Sequence, residues 1–242
     1  MVPGSVQLRR VGAEHQVLLV TLERPERANA YTAEMLVELR SAIEHARSDA
    51  ALRAAVIAGA GRTFCAGADL TELGAKDEID ALSLLSRDVF DLWAEAPWPT
   101  IAAIGGAAVG GGFELALACD VRLCAPAAFF RFPEPALGLV PAAGGIRRLV
   151  AEVGPARTKE LILFGRKLDA DAALRWGLVA GVVEDPLSTA IDLAQSLQAI
   201  DPVAQRIAKL LIQERADTAA GRPAEAVAQA LLYGRRKRSR TS

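Results

Sequence analysis

The sequence has only two histidines, His15 and His45, and three cysteines, Cys65, Cys119 and Cys124. That scarcity narrows the chemistry. His15 lies in a polar lead-in to an apolar run and His45 in a charged helical stretch, and neither has a serine or cysteine partner in a recognisable nucleophile motif. Ser-His-Asp and Cys-His catalysis are therefore not expected, and proton transfers, if the chain is an enzyme, fall to carboxylates. The cysteines fit no metal-ligand spacing and no even-numbered disulfide framework. Each stands in an apolar run, where a free thiol behaves as a small hydrophobe, and reduced thiols suit a reducing compartment. Residues 1–10 lack the apolar core of a secretory signal. Gly, Pro or charge interrupts every apolar run before it reaches membrane-spanning length. With a net charge of −1, no overall field recruits nucleic acid or an anionic membrane. The expectation is a soluble cytoplasmic protein that binds neither.

What is present is ordinary globular material. The 242 residues are 52% hydrophobic and 24% charged, which suits one domain, with or without a small appendage. A chain of this length buries roughly 70–75% of the surface exposed by its unfolded form. Apolar, β-branched runs at 16–22 (QVLLVTL), 54–58 (AAVIA) and 100–104 (TIAAI) predict strands, with short ones at 121–123 and 129–132 and a further one at 178–184. Thr32 is a candidate N-cap for a helix on which Met35, Leu39 and Ile43 recur every four residues. Further helices are predicted over about 79–96, 113–119, 145–153, 156–164 and 170–176, the last capped by Asp169 and stopped by Gly177. From residue 187 the chain reads as mostly helical. Strands alternating with helices define an α/β fold, and no internal repeat suggests a solenoid. Residues 234–242 carry five Lys or Arg and no acid. So short a run is expected to be a solubilising end without fixed structure rather than a nucleic-acid arm.

Four segments hold the chemistry: Phe64-Cys65-Ala66-Gly67-Ala68-Asp69-Leu70; Gly110-Gly111-Gly112-Phe113-Glu114 running on to Asp120; Phe132-Pro133-Glu134 with 137–145 (LGLVPAAGG); and 170–179. Three glycines at a turn into a helix let the backbone approach a ligand closely. The first N–H groups of that helix lack intrahelical partners and suit an anion or a polarised carbonyl. Acidic residues in a first helical turn often do no more than complement the dipole. Glu114, however, has only apolar neighbours, so burial should raise its pKa towards the range of a general acid–base. Glu134 sits among Phe129, Phe130, Phe132, Pro133 and Pro135 and has the same character. Two such glutamates can share one water, one taking its proton while the other delivers a proton to carbon. Phosphate-loop readings fail: Gly59-x-Gly61 lacks its third glycine, and Gly105 to Gly110 is not followed by Gly-Lys-Ser/Thr.

In this order, together with Arg24-Pro25-Glu26-Arg27-Ala28-Asn29-Ala30 near the start, these segments resemble the crotonase (enoyl-CoA hydratase/isomerase) family over about residues 17–184. The opening loop is similar to the family's "RPE-x-x-NAL". The resemblance implies a crotonase-like spiral of ββα units over residues 1–195, a helical region over 196–233 and the basic tail beyond. It also implies a homotrimer or a pair of trimers, an acyl-CoA substrate, and no metal or cofactor beyond the coenzyme A of the substrate. By position, Ala68 and Gly111 would supply the two N–H groups of an oxyanion hole, Glu114 would activate water and Glu134 would protonate the α-carbon. Ala66, Asp69 and Leu70 would lie along the adenine and pantetheine path, with Arg24 and Ala28 near the nucleotide end. Ala142 stands where hydratases carry Gly in "PGAGG", its N–H near the water. Tyr31 replaces the loop's leucine, with an effect on local packing alone expected. The reading is an enoyl-CoA hydratase; a double-bond isomerase and a non-catalytic acyl-CoA binder are the alternatives.

Overall fold

The computed structural model describes residues 4–74, 84–213 and 221–238. The main sheet starts from an antiparallel pair, β1 (Ser5–Val11) and β2 (Val17–Glu23), and continues in parallel through β3 (Ala54–Gly59), β4 (Thr100–Ile104), β6 (Val121–Cys124) and β9 (Gly181–Val182). A second sheet orders β5 (Ala107–Val109), β7 (Phe129–Arg131) and β8 (Leu168–Asp169), with β5 parallel and β8 antiparallel to β7. The inner strands β3 and β4 are buried almost end to end, as strands covered on both faces must be. Their alanines leave room for α7 (Pro186–Ser196), which packs against β3 and β4.

Helix α1 (Ala33–Arg47) begins where Thr32 Oγ1 accepts the Met35 N–H at 3.2 Å, and it buries Met35, Leu36, Leu39, Ala42, Ile43 and Ala46 along one stripe. The short α2 (Leu70–Leu73) starts at Asp69, whose carboxylate accepts the N–H groups of Thr71 and Glu72. Helix α3 (Leu85–Ala94) buries Val89, Phe90 and Trp93. The helix predicted over 79–96 is seen from Leu85 onward, and residues 79–83 lie outside the described residues. The two helices predicted on either side of Gly154 meet there as one kinked element, α5 (Gly145–Leu163), because Gly154 takes φ 77° and Pro155 follows. Helix α6 (Ala170–Arg175) is capped by Asp169, which accepts the Ala172 N–H at 2.7 Å, and Gly177 leaves it at φ 75°. The glycine-rich turn holds more order than expected: it contains β5 and opens α4 (Gly111–Leu117) two residues early.

The strand expected at 178–184 shrinks to Gly181–Val182. The N–H groups of Leu178 and Val179 are held by the Ala173 carbonyl at the end of α6, and the Leu178 carbonyl accepts from Arg122 Nε at 2.6 Å, so neither residue joins the ladder. Strand β1, absent from the sequence reading, is an edge strand whose middle residues Gln7, Leu8 and Arg9 are exposed.

Contacts divide the chain into two units, Met1–Ser196 and Leu197–Ser242. The second holds α8 (Pro202–Gln213) and α9 (Gly221–Arg238). The basic segment expected to lack structure is helical through Arg238, and 239–242 lie outside the described residues. Arg235 pairs with Asp201, whose carboxylate also caps α8 through the N–H groups of Val203 and Ala204. That contact supplies the local partner that the run of like charge conceals.

Asp169→Ala removes the N-cap of α6. We expect a loss of about 1 kcal/mol in stability, read as a lower urea midpoint at unchanged m-value.

Candidate active site

The corner between β5 and α4 is built by glycine. Gly110 takes φ 53° and ψ −127°, a conformation that side chains strongly disfavour, and a Cβ there would stand 2.7 Å from Glu134 Oε1. Its N–H donates to the Arg131 carbonyl, which ties the corner to β7. Alongside runs the segment 65–68: Cys65 N–H donates to the Ala107 carbonyl and Val109 N–H to the Cys65 carbonyl. Tyr31 pairs with this segment through Gly67 and Asp69, so the Ala68 N–H between them faces the other way. Among the described residues, no acceptor is recorded for the N–H groups of Ala68 and Gly111. These are the two donors named from the sequence, and they stand on adjacent segments.

Glu114 follows in the first turn of α4 and is only 4% exposed. Its Oε1 accepts the N–H groups of Ala143 and Gly145, each at 2.8 Å. Burial raises its pKa, opposed by those two hydrogen bonds and by the positive charge of Arg148. Arg148 in turn donates to the Ala143 carbonyl at 3.0 Å and pairs with Asp91 on α3. The carboxylate and the loop that receives it are thus fixed by the same few bonds.

Glu134 opens a single 3-10 turn, Glu134–Leu137. Its place is set by aromatic packing. Phe113, beside Glu114, stacks on Phe132 with centroids 4.7 Å apart and tilts against Phe130 at 5.1 Å. The same cluster therefore anchors both glutamates. Glu134 Oε2 is buried with no hydrogen-bond partner. Desolvation, offset in part by a backbone hydrogen bond and reinforced by the charge of Glu114, lifts the Glu134 pKa to about 7.

Both carboxyls open into one cavity of about 420 Å³. Of the residues named from the sequence, Ala66, Ala68, Leu70, Gly111, Glu114, Glu134 and Ala142 line it; Arg24, Ala28 and Asp69 do not. Arg24 is buried, its guanidinium paired with Asp69 at 2.7 Å and bonded to the Ala30 carbonyl at 3.1 Å. That pairing holds the Asp69 pKa down at about 2. These two groups bind each other and brace the loop. Asn29 adds to the brace, accepting the Arg24 N–H and donating to the carbonyls of Ala60 and Thr63. Ala142 is not among the residues with positive φ, so alanine is unstrained there, and the N–H groups that reach the carboxylate belong to Ala143 and Gly145. Among the cavity residues that the sequence reading did not name as site residues, two have polar side chains: Tyr31, whose only signal was the replaced leucine, and Ser86. Phe90, Trp93 and Trp98 are core residues outside the cavity wall. Among the described residues, no cluster of three or more His, Cys, Asp or Glu is placed to hold a metal ion, and no helix is long and apolar enough to cross a membrane.

A buried pair of carboxyls beside unpartnered N–H groups at a glycine corner is an arrangement suited to proton transfer next to a polarised oxygen. The enoyl-CoA hydratase/isomerase family profile matches residues 12–237, and the chain belongs to that family. The match extends past residue 184 into the helical end of the chain. A Mycobacterium tuberculosis protein named as a probable enoyl-CoA hydratase is 44% identical over 186 residues, spanning 76% of this chain and 73% of its own. An enoyl-CoA hydratase structure from Bacillus anthracis superposes with a TM-score of 0.88 at 34% identity, over 93% of this chain and 89% of that one. A Thermobifida fusca protein solved in complex with CoA gives 0.86 at 35% identity, over 96% and 94%. The fold is the crotonase fold.

The raised Glu134 pKa has a thermodynamic consequence. A glutamate in the unfolded chain titrates near 4.3, whereas in the folded protein this one titrates at about 7. Between those values the folded state keeps a proton that the unfolded state has released, so stability falls as pH rises through that window. Glu134→Gln lacks the effect. Its melting temperature, relative to the parent, should rise between pH 4.5 and pH 8, and a difference flat in pH would show that burial does not strain this carboxyl.

Proposed function

We propose that the chain is an enoyl-CoA hydratase, adding water syn across the 2,3 double bond of a trans-2-enoyl-CoA thioester. The observation that carries this is the pair of glutamates in one cavity, one held by two N–H donors and the other with its buried Oε2 unpartnered, beside the free N–H groups of Ala68 and Gly111. Membership of the family and the likeness to a protein solved with CoA support the substrate class. The cavity rim supports it too: Leu70, Leu137, Leu139 and Val140 line the cavity and are exposed, an apolar mouth suited to a pantetheine arm and an acyl chain.

The mechanism follows from these placements. The thioester oxygen sits between the N–H groups of Ala68 and Gly111. Glu114, as carboxylate, takes a proton from water as the water oxygen bonds to C3. The electron pair of the double bond moves towards the thioester and charge builds on its oxygen, where two N–H donors stabilise it; losing one such donor costs about 10²–10³ in rate. Glu134, protonated near neutral pH, delivers its proton to C2. Water has then added across the bond, and a proton returns from Glu114 to Glu134 before the next cycle. Coenzyme A enters only as part of the substrate.

Hydration of crotonyl-CoA and of one longer 2-enoyl-CoA, followed by loss of the conjugated thioester absorbance, tests the reading. Glu114→Gln and Glu134→Gln should each lower kcat by about 10²–10⁴ while calorimetry still records acyl-CoA binding. Full activity in either variant would remove that residue from the mechanism. A flat absorbance in the parent protein with a 3-enoyl-CoA converted to its 2-enoyl isomer would instead identify an isomerase. Because Glu134 must carry its proton, kcat/KM for hydration should fall with unit slope above pH of about 7.

A further inference from the structure

Tyr31 stands where the family loop that this chain resembles ends in leucine, and its side chain enters the site. The backbone fixes it on both sides: its N–H donates to the Gly67 carbonyl at 2.8 Å and its carbonyl accepts the Asp69 N–H at 2.9 Å. The ring is buried and meets Phe90 edge-on, centroids 5.7 Å apart. Held this way, the phenol lies directly over Gly111, where an added Cβ would collide with the Tyr31 hydroxyl. Position 111 must be glycine because the tyrosine occupies the space. The hydroxyl lines the same cavity as both glutamates and hydrogen-bonds with Ser86 on α3, another cavity residue.

A phenol so placed is not just a larger leucine. Its oxygen is polar and stands against Gly111, and the cavity it shares with Gly111 and Ala68 holds their free N–H groups. Burial first, and then the nearby acidic groups, push its pKa well above the usual tyrosine range, so it stays a neutral donor. Ser86 can donate to the phenol oxygen, and the phenol's own proton then points into the cavity, where an acceptor arrives with the substrate.

We propose that Tyr31 is a third hydrogen-bond donor to the substrate's thioester oxygen, a side-chain member of the anion seat formed by Ala68 and Gly111. This rests on the acyl-CoA reading of the site. A donor of this kind strengthens as charge collects on the oxygen, so it acts more on turnover than on binding. Ser86 is a positioning residue that acts through the phenol.

Tyr31→Phe keeps the ring and its contact with Phe90 and removes only the hydroxyl. The probe is butanoyl-CoA labelled with carbon-13 at the carbonyl, saturated and therefore unable to be hydrated. Its carbonyl stretch in the infrared should drop on binding the parent protein and recover part of that drop in Tyr31→Phe. For crotonyl-CoA, kcat should fall by about 10–100-fold with KM nearly unchanged. Ser86→Ala should move both readings the same way by less, which guards against a folding defect in the first variant. An unchanged stretch and kcat in Tyr31→Phe would overturn the proposal, and so would a change confined to chain-length preference. If the parent protein hydrates no enoyl-CoA yet the stretch still responds to Tyr31→Phe, the donor stands and the hydratase reading falls. If the parent is an active hydratase that Tyr31→Phe matches, only the donor falls.

Discussion

Glu114 is removed from water at 4% exposure, and the N–H groups of Ala143 and Gly145 converging on Oε1 are what make that burial tolerable. An unsatisfied buried carboxylate would cost several kcal/mol or give up its charge. Supplying those donors constrains the chain over a long span. α5 must begin at Gly145, so that its first N–H has no helical partner and is free for the carboxylate. The loop before it must hold still, which Arg148 ensures by bonding the Ala143 carbonyl and reaching Asp91 on α3. α4 must then present Glu114 to that loop, which requires the positive-φ corner at Gly110 and the close pairing of segment 65–68 with β5. The seat of Glu114 and the free N–H groups beside it are thus consequences of one packing solution.

Much of this was legible locally. Thr32 and Asp169 announce their helices because a cap and its apolar stripe lie within a few residues of each other. β2, β3 and β4 are continuous apolar runs, and Glu114 shows itself by the contrast between its charge and its neighbours. The failures have a common cause, which is that their reasons lie across the fold. β1 is polar because it is an edge, and an edge cannot be recognised before the sheet is known. β5 and β8 are too short to show a period. The ion pair of Arg24 and Asp69, 2.7 Å apart across 45 residues of chain, has no local signal either. Tyr31 reads as a packing change because nothing in the sequence places it against Gly111, 80 residues on.

The two glutamates are similar in sequence context and different in environment, and that difference sets the direction of the proposed chemistry. Both are desolvated, so both hold protons more tightly than an exposed glutamate. Hydrogen bonds then separate them. Two N–H groups and the nearby guanidinium of Arg148 favour charge on Glu114, whereas Oε2 of Glu134 is buried with no donor at all. Charge on Glu114 also repels charge on Glu134. Hydrogen bonding therefore favours charge on α4 over charge on the 3-10 turn after β7. In hydration this is the productive state, because the base must be empty when water arrives and the acid loaded when the α-carbon needs its proton. The aromatic cluster of Phe113, Phe130 and Phe132, packed between the two segments that carry the glutamates, holds both side chains in place.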